Sequence, residues 1–126
     1  MSNDRLLTVV SLLGVVLFTL HQSDDVVRGF EPGGFKNLQG MVIVTAWLCG
    51  ALLLPQRRIG HVIVLLASLL TVLMPVSHMM GRGLGVEGAH SSQGLFFIWT
   101  LYALGVNGMF GAIVALRGLW GARSAT

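Results

Sequence analysis

Apolar residues fall in four long blocks along this chain, each closed by a cluster of glycine, proline or charge. Leu6 to Leu20 is nearly free of polar groups, and Leu38 to Leu54, Ile59 to Met80 and Leu95 to Leu116 follow it. None alternates with the period of two expected of a half-buried strand. Each instead approaches the run of about 20 apolar residues that a helix needs to cross a bilayer. The first block is short for a crossing, which predicts that its helix continues through His21, Asp24 and Asp25 to Val27. The expected spans are therefore about 6–27, 38–54, 59–80 and 95–116, in a single domain.

The punctuation supports this division. Glu31, Pro32, Gly33 and Gly34 lie between Gly29 and Lys36, where proline stops a helix and glycine allows an unusual turn. Pro55 with Arg57 and Arg58 leaves room only for a tight turn, so the second and third spans form a helical hairpin. Pro75 lies inside the third span and is expected to bend it one turn before His78. The connection from Gly81 to Gly94 is glycine-rich and carries Arg82, Glu87 and His90.

Composition narrows the class further. Hydrophobic residues make up 54% and charged residues only 10%, and the mean hydropathy is +0.79, more apolar than a water-soluble core can hide. The fold class is all-α: an integral membrane protein built as a four-helix transmembrane bundle in contact with the lipid bilayer. In a soluble protein a net charge of +3 and a pI near 10.0 would point to nucleic acid. Here the basic residues serve orientation, and no nucleic-acid partner is expected. Arg5, Arg57, Arg58, Arg117 and Arg123 flank one side, against Arg28, Lys36 and Arg82 on the other. That bias predicts cytoplasmic N and C termini in a multi-pass protein of a bacterial-type plasma (inner) membrane. Arg5 followed by Leu6 to Leu20 has the look of a signal peptide, but His21, Gln22 and Ser23 offer no small-residue cleavage pattern, so it reads as an uncleaved span. Cys49 is the only cysteine, which excludes an internal disulfide, a Cys-x-x-Cys redox pair and a multi-thiolate zinc site.

This topology gathers His21, Asp24, Asp25, Glu31, His78, Glu87 and His90 at the outer face and leaves Asp4 and His61 inside. His21, Asp24, Asp25 and Arg28 follow the i, i+3, i+4, i+7 spacing of one helical face. Imidazole and carboxylate together suit a transition metal, so His21, Asp25, His78 and His90 are the candidate ligands, with Asp24, Arg28 and Glu87 as a supporting polar cluster. Met79 and Met80 would suit copper(I). His21 and His78 could alternatively be axial ligands of a haem. The competing reading is a hydrogen-bonded, ion-paired cap that holds the outer loops on the bundle. His61, beside Arg57 and Arg58, reads as an interface residue without chemistry.

The fourth span carries Gly105, Gly108 and Gly111 every third residue, with Ala112 and Ala115 extending a surface of small side chains for close helix packing. Asn107, deep in the same span, should find a hydrogen-bonding partner on another helix or subunit. Trp99, Tyr102 and Trp120 resemble an aromatic belt, and Trp47 lies deeper, either packed inside or facing a partner.

Other functions meet an obstacle. The small multidrug transporters need a carboxylate in the first span, and Leu6 to Leu20 has none. The glycine-rich, arginine-containing opening motif of the small fluoride channels is missing. Ser77 beside His78 is adjacency in sequence rather than a held base, and no Gly-x-Ser-x-Gly segment occurs. Catalysis is not expected. The sequence favours a small non-catalytic accessory or stabilising subunit, packed through its glycine face in a homo-oligomer or against a membrane-protein partner. The alternative is a metal- or haem-binding membrane protein, and after it a small channel or transporter, for which only Asn107 and scattered Ser and Thr could line a path.

Overall fold

The computed structural model describes residues 2–80 and 92–121 and is all-helical over them. Four of its helical segments are long and apolar enough to cross a membrane.

Helix α1 spans Asn3–Arg28. The Ser2 hydroxyl accepts from the Arg5 N–H, and Asp4 in the first turn complements the positive end of the helix dipole. The helix runs on past Leu20 without a break. It stops where Gly29 takes a left-handed conformation (φ 77°) and its N–H, with that of Phe30, returns to the carbonyls of Val26 and Asp25. The second span begins with a 3-10 turn over Gly34–Asn37, continues as α2 over Leu38–Leu48 and ends in a wide π turn over Cys49–Leu53. A wide turn loosens its carbonyls from the helical ladder. The Thr8 hydroxyl of α1 donates to one of them, the Ala51 carbonyl, at 2.9 Å.

Helix α3 spans Arg58–Met80 and stays helical through Pro75, and α4 spans Ser92–Gly121. Pro75 has no N–H for the Thr71 carbonyl. Gly105 of α4 lies against both the Pro75 ring and that carbonyl, and Gly108 lies against Thr71, Val72 and the Ser68 carbonyl. Gly111 meets Ser68. The row of small residues in α4 is thus used within the chain, as a seat for α3. Asn107 donates from Nδ2 to the Val10 carbonyl of α1 at 3.1 Å. Gly14 leaves room for the Trp47 ring of α2 and for the Asn107 amide. Trp47 is therefore an internal packing residue, buried with Phe18, Leu7, Leu104 and Val64.

The distribution of side chains is that of a bilayer protein. Ser11, Ser68, Thr71, Thr100 and Asn107 are buried, while Val16, Leu53, Leu66, Leu73 and Phe110 face outward. Lipid is as apolar as leucine, so the interior goes to small and hydrogen-bonding residues. Trp99 and Trp120 are 71% and 60% exposed, and the helical rise puts them about 31 Å apart along α4. That separation matches a hydrocarbon core of about 30 Å, the spacing expected of an aromatic belt at two membrane boundaries.

The α3–α4 seat is sensitive to volume. Gly108→Ala should destabilise the bundle by about 1–3 kcal/mol, because its Cβ would fall 2.8 Å from the Ser68 carbonyl oxygen, backbone that cannot swing aside. Gly121→Ala meets open space and should change stability by less than about 1 kcal/mol. Unfolding of the two variants in mild detergent, compared with the parent chain, measures the difference.

Candidate metal centre

Three helices meet at the boundary marked by Trp99. Because α1 does not end until Gly29, it presents His21 and Asp25 one turn apart on its buried face. α3 brings His78 from its last turn, and α4 contributes Phe97. His21 is fully buried, Asp25 is 4% exposed and the His78 side chain is a quarter exposed.

The three donors converge on one point. Nε2 of His21 lies 3.4 Å from Oδ2 of Asp25, and Nε2 of His78 lies 3.6 Å from the same oxygen. One donor atom from each residue fits within a set no wider than 4.8 Å. Ligand atoms around a tetrahedral zinc, at bonds of about 2.0–2.1 Å, stand about 3.3–3.4 Å apart. Two edges of the triangle are within a few tenths of an ångström of that, and the set as a whole is no wider than 4.8 Å.

Hydrogen bonding fixes what these atoms can do. Nδ1 of His78 is 2.9 Å from the Met74 carbonyl oxygen. A carbonyl only accepts, so Nδ1 carries the proton and, in the neutral ring, Nε2 presents its lone pair toward Asp25. A lone pair and a carboxylate facing each other in a buried site call for a cation between them, either a proton or a metal ion. Neither ring nitrogen of His21 has a hydrogen-bond partner among the described residues, and neither has Oδ1 of Asp25. Buried polar atoms are rarely left that way.

Around the donors the shell is aromatic. The His21 and His78 rings meet edge to face with centroids 4.9 Å apart. Phe97 packs on both, at 5.1 and 5.6 Å. Phe30 covers the far side of Phe97, and the Arg28 guanidinium sits 5.3 Å from the Phe97 ring centre. Such a shell limits water access and raises the strength of any charge interaction inside it.

The polar stripe of α1 splits in two. His21 and Asp25 turn inward, whereas Asp24 pairs with Arg28 at 2.7 Å near the rim. The haem expectation does not fit. Two axial imidazoles stand on opposite faces of a porphyrin, but the His21 and His78 rings touch each other and leave no gap for a macrocycle. His90 and Glu87, and the side chains of Met79 and Met80, lie outside the described residues. Sequence reasoning missed Phe97, which carries no signal inside an apolar block. His61, read from the sequence as an interface residue, is buried with Asp4 4.0 Å away. No protein-family model, curated protein or solved structure matches the chain.

The two aspartates should separate cleanly. Asp24→Asn removes a partly exposed i,i+4 ion pair and should cost only about 0.3–0.5 kcal/mol, read by unfolding in detergent, with donor convergence at His21, Asp25 and His78 intact. A loss above about 2 kcal/mol would mean that the rim pair, not the inner set, organises this end of the bundle.

Proposed function

We propose that this chain is a non-catalytic, multi-pass membrane protein that holds one divalent transition-metal ion at a membrane boundary, through His21, Asp25 and His78. The observation that carries the reading is the meeting of three donor atoms from two helices where both His21 nitrogens lack a hydrogen-bond partner among the described residues. Two imidazoles and one carboxylate suit zinc, copper(II), nickel or iron(II) better than magnesium or calcium, which prefer all-oxygen shells. Among the described residues the set comprises two imidazoles and one carboxylate.

The accessory-subunit expectation loses one of its supports, since the glycine face of α4 is filled by α3. The excess of Arg near the ends of α1 and α4 and in the α2–α3 turn supports termini in the cytoplasm of a bacterial-type cell, with the metal centre at the outer boundary of the plasma membrane.

Protein purified without chelators and analysed for metals should carry about one equivalent of zinc, copper, nickel or iron. His21→Ala, His78→Ala and Asp25→Asn should each lower affinity by about tenfold or more while Asp24→Asn does not. Retention should fall as pH is lowered through the range in which imidazoles take up protons, because the metal binds the deprotonated rings. Sub-stoichiometric metal that is not restored by dialysis against zinc or copper(II), in a folded protein, contradicts the proposal.

A further inference from the structure

A groove of about 790 Å³ runs between α1 and the start of α2, on a face of α1 that the metal centre does not use. Phe18, Val44 and Met41 give it apolar walls, and no charged side chain lines it among the described residues. Three of its hydroxyls are already engaged: Thr19, Ser23 and Thr45 donate to the carbonyls of Val15, Thr19 and Met41 in their own helices. The amides of Gln22 and Asn37, both half-buried, are not. Neither side chain holds a hydrogen bond among the described residues. Asn37 even stands at the N-cap of α2, where an asparagine ordinarily accepts from the first turn, yet it makes no capping bond. The two amides meet over Gly40, where a Cβ would lie 3.1 Å from Oδ1 of Asn37 and 3.7 Å from Cδ of Gln22. The missing side chain at Gly40 thus leaves two unspent amides together on the floor of the groove.

We infer that this groove seats one diacyl glycerolipid, with an acyl chain along Phe18, Met41 and Val44 and its ester carbonyls accepting from the side-chain N–H groups of Gln22 and Asn37. Each amide offers two N–H donors, and an ester carbonyl is an acceptor with no donor of its own. The level is right for it. Gln22 follows His21 near the end of a candidate span, where hydrocarbon gives way to the interfacial layer and a glycerolipid holds its esters. Below the amides the walls are apolar, and a groove left empty there would forfeit the dispersion contacts that a chain supplies. The volume lies within the range of about 300–1,000 Å³ typical of small-ligand sites, which likewise pair apolar walls with a few placed polar groups. With no charge in the lining, the site reads the ester region and is indifferent to the headgroup beyond it. A second copy of this chain fits less well, because a helix would bring carbonyls already engaged in their own ladder, whereas ester carbonyls are free to accept.

The test is native mass spectrometry of the full chain released from detergent, with diacyl phosphatidylcholine, its di-O-alkyl analogue of the same chain length, and diacyl phosphatidylglycerol added in turn. One diacyl phosphatidylcholine should be retained about tenfold more strongly than the dialkyl analogue, which keeps the chains and headgroup but lacks the carbonyls. Phosphatidylglycerol should be retained as well as phosphatidylcholine. Q22L/N37L should bring the diacyl lipid down to the level of the dialkyl one, and Gly40→Leu, which fills the groove, should lower retention of all three. Circular dichroism should show both variants as helical as the parent. Equal retention of the diacyl and dialkyl lipids by the parent chain, an ester preference that survives Q22L/N37L, or a marked preference for one headgroup overturns the assignment. So does a dimer of the parent that Gly40→Leu abolishes, which would make a second copy the occupant.

Discussion

The constraint that organises this molecule is the absence of water inside a bilayer. A polar group carried into hydrocarbon must find its partner within the protein, at a cost of several kcal/mol if it does not. Several buried polar side chains meet that demand. Asn107 reaches the Val10 carbonyl, Thr8 reaches the Ala51 carbonyl, and Thr71 and Thr100 return to carbonyls of their own helices. Large apolar residues gain nothing by turning inward and cover the outside, while glycine and serine bring α3 and α4 together.

Against that background the buried polar atoms without hydrogen-bond partners among the described residues stand out: Ser11, Trp47 and Ser68 hold such atoms inside the spans, and His21, Asp25 and His61 hold them at the two ends. His21, Asp25 and His78 meet where α1 and α3 leave the membrane on one side. His61 and Asp4 meet where the same helices enter it on the other. The long α1 joins the two, contributing a carboxylate to each. The ends nevertheless differ in kind. The first is closed over by Phe97 and offers converging donors with little room between them. The second is an open cleft with arginines at its edge.

Much of the fold was legible because block length and punctuation are strong signals in membrane proteins. The continuation of α1 past Leu20 followed from a bilayer being too thick for a short helix, and it placed His21 and Asp25 on one face. The partnership of Asp24 with Arg28 followed from spacing alone. The haem expectation failed because spacing says which residues share a boundary, not how far apart their rings lie. Phe97 was invisible for a related reason: in an apolar helix nothing distinguishes the phenylalanine that caps a site from one that touches lipid. The glycine row of α4 was legible as a packing surface, but a sequence does not say whether the occupant is another chain or, as here, the neighbouring helix. The burial of His61 was not legible beside two arginines, because Gly118, distant in sequence, makes the space that holds its ring.

The central claim is that two imidazoles and one carboxylate share a metal ion. Pulsed electron paramagnetic resonance of the copper(II)-loaded protein reads this directly, since the remote nitrogen of each bound imidazole modulates the echo. The account predicts modulation from two imidazoles in the parent chain and from one in either His21→Ala or His78→Ala. Copper that shows no imidazole modulation, or modulation unchanged by removing both residues, would contradict it.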